Sequence, residues 1–223
     1  RLAAYPPGKG DITNMIRSYI HRCQKDGVKI VMNCEVTPEL IKEEKPDSVI
    51  IATGSKTLIL PIEGIDNPAI IHGSDLLDGK RAAGKKVLVV GGGMVGCETA
   101  AFLGEQEHDV TVIEFRDTVG ADVIHEHRVY LMKDFEDYGI KEITGAKVCK
   151  FYEDGVEYET ADGVRHESRG YDSVILSMGF RNYNPLEEKI KDLVPETHVI
   201  GDAIRARRAL DATKEAYEVA SRI

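Results

Sequence analysis

Six consecutive residues, Gly91-Gly92-Gly93-Met94-Val95-Gly96, follow the β-type run Val87-Leu88-Val89-Val90 and open a helical stretch reaching about Gln106. Among 21 glycines a G-x-G-x-x-G spacing arises easily by chance, so the spacing alone decides little. Its setting between strand and helix gives each position a task. Gly91 permits the tight turn, Gly93 lets the backbone approach a pyrophosphate, and Gly96 lets the helix pack close to the strand. Amides near Met94 and Val95, at the N-terminal end of that helix, attract diphosphate charge. Glu114 stands 23 positions after Gly91, at the end of the next β-type run, Val110-Thr111-Val112-Ile113. Its carboxylate can accept hydrogen bonds from both ribose hydroxyls, and its charge disfavours a 2′-phosphate. Phe115 and Arg116 continue the same edge, and the Arg116 guanidinium opposes that preference because it can pair with a 2′-phosphate. The expected ligand is NAD(H), with NADH favoured over NADPH.

The remaining reactive side chains carry weaker chemistry. His125-Glu126-His127 offers two imidazoles, but no third ligand follows at helical spacing, which favours a solvated turn over a metal site. Arg205, Arg207 and Arg208 suit either a bound phosphate or the charged approach to a helix. Cys23, Cys34, Cys97 and Cys149 are scattered through a chain too large to need staples, and read as reduced, buried, small apolar residues. Cys97 lies in the nucleotide helix without a C-x-x-C partner, which removes the sequence basis for dithiol chemistry.

The elements that must position these residues are those of an α/β protein. Ile12, Met15, Ile16, Tyr19, Ile20 and Cys23 make one apolar face of a helix over Asp11–Cys23, with Asp11 as N-cap and Gly27 as its stop. Val28–Met32 reads as a strand, Thr37-Pro38 opens a short helix, and Ser48–Ala52 reads as a strand buried on both faces. Residues 55–84 have connector composition, which places a domain boundary near 81–84. A helix over Glu126–Tyr138 sets Leu131, Phe135 and Tyr138 on one face. Asp154-Gly155 and Asp162-Gly163 divide short β-type runs, as in an antiparallel meander. Val174–Leu176 and Thr197–Ile200 are further strands, and a last helix begins near Leu210.

A net charge of −9 argues against a nucleic-acid partner or an anionic membrane surface, since either needs a basic face. No apolar run approaches the roughly 20 residues that span a bilayer, and no signal-peptide pattern opens the sequence, so a cytoplasmic location is the default. The opening, Arg1-Leu2-Ala3-Ala4-Tyr5-Pro6-Pro7, reads as a cut from a longer polypeptide.

Together these motifs resemble the flavoproteins with two dinucleotide-binding domains, in which an NAD domain is nested inside an FAD domain. Val49-Ile50-Ile51-Ala52-Thr53-Gly54 is similar to that family's strand end leading out of the FAD domain, and Leu176-Ser177-Met178-Gly179 to the return crossing. Val199-Ile200-Gly201-Asp202-Ala203 is similar to its late G-D segment, whose aspartate meets the FAD ribityl and phosphate groups. Leu2–Lys9 and Gly91–Ala100 point to one branch, the NADH:flavin oxidoreductases of the 2,4-dienoyl-CoA reductase, enoate reductase and trimethylamine dehydrogenase type. The resemblance implies that Glu98 reaches toward the nicotinamide end, against the plain reading of a solvated helix glutamate. It implies a partial FAD-type lobe from 1–80 and 180–223, its first βαβ unit missing, around a complete NAD-binding Rossmann lobe from 81–179. Thr53, Gly54, Gly201 and Asp202 would address FAD, and Gly179 would lie beside NAD. An N-terminal barrel of the same polypeptide, carrying FMN and a 4Fe-4S cluster outside this chain, would pass electrons to an enoate or enone. In trimethylamine dehydrogenase-like relatives the same lobe holds ADP without hydride transfer, which is the alternative expectation. Two departures stand out: Glu107 occupies a usual helix-ending glycine position, so the end is expected to be strained or shifted toward Gly104, and Ala206 replaces a usual proline.

Overall fold

The computed structural model describes residues 2–6 and 8–223. Its helices are α1 (Asp11–Lys25), α2 (Pro38–Glu44), α3 (Gly73–Leu77), α4 (Met94–Glu105), α5 (His125–Asp137), α6 (Glu187–Ile190) and α7 (Ala209–Ala220). Its strands are β1 (Ser48–Ile51), β2 (Ser55–Thr57), β3 (Ile71–His72), β4 (Lys86–Val90), β5 (Asp109–Ile113) and β6 (Lys141–Ile143). They continue with β7 (Lys147–Tyr152), β8 (Gly155–Glu159), β9 (Arg165–Ser168), β10 (Ser173–Leu176), β11 (Phe180–Asn182) and β12 (Glu196–Val199). The chain divides into two units. One takes the chain up to Val28 with Ile59–Gly179, the other Lys29–Leu58 with Phe180–Ile223.

The first unit is built on a parallel sheet in the order β3-β10-β4-β5-β6. Alternation along β4 explains its layers, because successive side chains of a strand face opposite sides. Val87 and Val89 pack with Cys97, Ala100, Leu103, Leu131 and Phe135 from α4 and α5. Leu88 and Val90 pack on the other face with Phe151 and Val156 of the meander β7-β8-β9 and with Ile65 and Ile70. Val87, Leu88 and Val89 are each 0% exposed, so this strand is the floor of a closed core. Gly104 lets the helices close up, since a Cβ there would lie 2.8 Å from the Tyr138 Cβ at the end of α5.

In the second unit β1 runs parallel to β12 and β2 antiparallel to β11, over a core of Ile41, Ile51, Leu186, Ile190 and Val194. Thr37 caps α2 as expected, its hydroxyl accepting from the Leu40 N–H at 3.3 Å.

Several expectations are corrected. Val28–Met32 forms no strand, and Val28, Ile30, Val31 and Met32 are exposed, because β-propensity without a paired neighbour does not make a ladder. β1 is not buried on both faces: Ile51 packs into the core with Ile41, Leu186 and Ile190, while Ile50, on the opposite face, is exposed. Asp11 is the first helical residue of α1 behind Gly10 and makes no cap bond, and the helix's expected apolar face has no buried residue. Tyr138 is exposed while Leu131 and Phe135 are buried. Of the expected lobe 1–80, only Lys29–Leu58 falls in the second unit; the chain up to Val28 and residues 59–80 fall in the unit of the five-stranded sheet. The buried Ile65, Ile70, Ile71, Leu76 and Leu77 hold residues 59–80 there, under a composition that reads as a connector. No helix among the described residues is long and apolar enough to cross a membrane.

Glu107 adopts φ +63°, the left-handed region that favours glycine, and α4 ends at Glu105 and not at Gly104. The expected strain is therefore present in the backbone. Glu107→Gly will raise stability by about 0.5–1 kcal/mol, read as a thermal melting shift of about 1–4 °C. An unchanged or lower melting temperature would show that the Glu107 side chain compensates.

Candidate nucleotide-binding site

The glycine-rich turn leaves β4 at the carboxyl edge of the parallel sheet, where ligands of open α/β sheets bind. Gly91 has φ +104°, and a Cβ there would meet the Ser177 carbonyl oxygen at 2.4 Å. At Gly96 a Cβ would stand 1.8 Å from the Gly91 carbonyl oxygen, so α4 touches the turn backbone to backbone. Gly92 faces Glu114 and Val119, whose atoms lie 2.9 Å from its Cβ position. Gly93 is less constrained: its nearest neighbour is a carboxylate oxygen of Asp122 at 3.3 Å.

Glu114 is half-buried at the end of β5, and its carboxylate bridges the edge. One oxygen accepts from the Gly92 N–H at 2.6 Å, the other from the Arg116 N–H at 2.9 Å. These bonds fix the carboxylate over the turn while leaving lone pairs for ribose hydroxyls. Phe115 is 69% exposed beside it, and Arg116 is exposed. Gly179, φ +98°, follows Ser177, whose N–H donates to the Val90 carbonyl at 2.8 Å. The structure thus gathers Gly91, Gly92, Gly93, Met94, Val95, Gly96 and Glu114 at one strand edge. That donor and acceptor set suits a dinucleotide: no backbone crowding at the Gly93 side, helix amides for a diphosphate and a carboxylate for ribose.

Glu98 is not a solvated glutamate. Its side chain is 8% exposed on the inner side of α4, ion-paired with Lys9 and 3.3 Å from His127 Nε2. His125–His127 is not a solvated turn but the first turn of α5, where His127 packs toward Glu98, and among the described residues no group of three or more metal-ligating side chains comes together. Lys9 and His127 were invisible as site residues, because 89 and 29 positions separate them from Glu98. Asp122 was also missed: its carboxylate accepts from the Met94 N–H at 2.9 Å.

In the second unit, Thr53, Gly54, Gly201 and Asp202 come together at the carboxyl ends of β1 and β12. The Thr53 hydroxyl donates to the Tyr183 carbonyl, and the Tyr183 N–H to the Gly54 carbonyl at 3.0 Å. Asp202 accepts from the Ser55 hydroxyl at 3.2 Å and from the Arg207 N–H at 3.1 Å. The Gly201 N–H donates to Glu215 at 2.7 Å, and Glu215 also pairs with Arg207. The Arg207 guanidinium and that N–H hold the Glu215 carboxyl below its ordinary value. Arg207 is thus engaged within its own unit, on the approach to α7.

The cysteines depart from the expectation of uniform burial. Cys97 is buried, its thiol pushed up to about 12 chiefly by that burial, and it bonds the Gly92 carbonyl at 3.2 Å. Cys34 is exposed, and Cys23 and Cys149 are half-buried. Native protein treated with iodoacetamide at pH 8 will accordingly be alkylated at Cys34 and spared at Cys97, as read by peptide mass spectrometry. Rapid labelling of Cys97 would contradict a closed turn.

The sequence signature of the pyridine nucleotide-disulphide oxidoreductase family matches residues 11–197. An NADH oxidase of Thermoanaerobacter brockii is 31% identical across 100% of this chain and 35% of its own length. A cinnamate reductase of Clostridium sporogenes is 30% identical across 98% of this chain and 33% of its own length. A solved structure of 2-naphthoyl-CoA reductase with 2-naphthoyl-CoA is 31% identical, with a TM-score of 0.91 over 100% of this chain and 34% of that one. The chain spans about a third of the length of the curated relatives it matches.

Proposed function

The chain belongs to the pyridine nucleotide-disulphide oxidoreductase family, and from that membership we propose that it is the nucleotide-binding part of an NADH-dependent flavin oxidoreductase. The first unit binds NADH and the second contributes part of an FAD site. The remainder of the protein would be a barrel carrying FMN and an iron–sulfur cluster, where an enoate- or enone-type substrate is reduced. A cytoplasmic setting suits its free cysteines. The observation that carries the reading is the Glu114 carboxylate locked over the glycine turn by the Gly92 and Arg116 amides.

When bound, NADH supplies a hydride and FAD accepts it. This chain's residues bind and orient. The amides at the start of α4 hold diphosphate charge, and Glu114 holds ribose hydroxyls. Glu98, held in place by Lys9 and His127, lies one turn inside the same helix and addresses the nicotinamide end. No side chain need act as acid or base for hydride transfer; the task is positioning. The relatives named for reductase and oxidase activity disfavour the alternative of a module that only holds ADP.

Calorimetric titration with NADH, NADPH and ADP tests the reading. NADH will bind more tightly than ADP, because an ADP-only site gains nothing from the nicotinamide half. NADH will also bind more tightly than NADPH. Glu114→Ala will weaken NADH by about 10–100-fold, the worth of one or two charge-assisted hydrogen bonds, and narrow the gap to NADPH. Equal affinity for NADH and ADP would sink hydride transfer at this site, and equal or better affinity for NADPH would sink the role given to Glu114.

A further inference from the structure

The amide that the nucleotide reading assigns to the diphosphate already has an acidic occupant. Asp122 Oδ1 accepts from the Met94 N–H at 2.9 Å, at the first residue of α4. Its other oxygen faces the Cβ position of Gly93 at 3.3 Å, on the side where a pyrophosphate would approach. The loop that carries it is pinned to the turn. The Gly120 N–H donates to the Gly92 carbonyl at 2.7 Å, Val119 is fully buried, and Arg128 bonds the Thr118 hydroxyl at 2.9 Å. The Asp122 side chain itself is exposed, so an incoming diphosphate meets it at the surface.

We propose that Asp122 is a built-in stand-in for the diphosphate, which caps α4 when no nucleotide is bound and sets nucleotide affinity by competing for the Met94 amide. Carboxylate and diphosphate seek the same N–H and repel each other, so one must leave as the other arrives. The cap keeps the N-terminus of α4 satisfied in the free protein and weakens binding by the free energy of that bond. Asp122 is thus an affinity-setting residue that touches the ligand's place without holding the ligand.

The inference rests on the nucleotide reading, and its signature is a pair of effects with opposite signs. Asp122→Ala removes a cap, so the free protein will melt about 2–4 °C lower. The same variant will bind ADP and NADH about 3–10-fold more tightly, because the amide is no longer contested. Asp122→Asn keeps a capping oxygen but drops the charge, and will give a smaller tightening with little change in melting. Adenosine, which lacks the diphosphate, will bind all three proteins alike. A residue that merely braced the loop would lower stability and affinity together. ADP binding that is unchanged or weaker in Asp122→Ala overturns the inference alone, and so does an equal gain for adenosine. If neither NADH nor ADP binds wild type or variant, the nucleotide reading falls and the inference with it.

Discussion

Gly96→Ala will abolish measurable NADH binding and destabilise the 223-residue chain by about 3 kcal/mol, at the upper end of the usual cost of overpacking. The added methyl would stand 1.8 Å from the Gly91 carbonyl oxygen, and that neighbour is backbone, not a side chain able to turn away. Relief requires lifting α4 from the end of β4. The helix is held by Cys97, Ala100, Ala101 and Leu103, each no more than 2% exposed, so lifting it opens the packed face of the sheet. Moving the turn also displaces the Gly92 N–H from Glu114 and the Met94 amide from the diphosphate position. Gly93→Ala is the control. Its methyl meets no backbone, only the end of the exposed Asp122 side chain at 3.3 Å, so the fold will melt within about 2 °C of wild type. Binding will still fall, since the methyl occupies the pyrophosphate's approach. Melting followed by circular dichroism and calorimetry with NADH separate the two. A Gly96→Ala protein with native melting and native affinity would remove the close contact from the account.

The contrast between those glycines shows what the sequence could reveal. Strand, turn and helix at 87–106 are legible because hydrophobic run, glycine spacing and the later Glu114 all impose the same local geometry. The Glu107 helix end was legible only through the resemblance, whose usual glycine there left strain or a shift toward Gly104 open, and the structure shows the positive φ. Contacts made by loop closure were not legible. Nothing near Asp122 in sequence says that its carboxylate returns to Met94, 28 positions earlier. Lys9 reaches Glu98 across 89 positions for the same reason. The segment 59–80 misled in the opposite direction. Its prolines and glycines indicate a connector, while Ile70 and Ile71 lead into an edge strand whose register is set by distant β10. Val28–Met32 carries strand propensity that only a neighbouring strand can convert into a ladder.

The purified 223-residue chain will be colourless and will bind NADH without oxidising it. Retaining FAD requires amide donors for its diphosphate, and the donors of the second unit are largely committed. The Gly201 N–H already donates to Glu215, and the Arg207 N–H to Asp202. Thr53-Gly54, at the end of β1, leads into strand β2, not into a helix whose N-terminal amides could cradle phosphate. Among the described residues, the glycine turn that opens a long helix from a parallel strand is the one at 91–96, in the other unit. Each charge-assisted contact absent from the second unit is worth about 1.5–3 kcal/mol, so two of them weaken FAD by roughly 10²–10⁴-fold. That shift is enough to empty a site of ordinary tightness during purification. The first unit has its own complete turn and keeps its nucleotide. The visible flavin band, absent from the spectrum of the purified chain, reads the first half of the expectation. The NADH absorbance at about 340 nm, constant after mixing, reads the second. A yellow preparation, or oxidation of NADH by the chain alone, would mean that Thr53, Gly54, Gly201 and Asp202 suffice to hold the flavin.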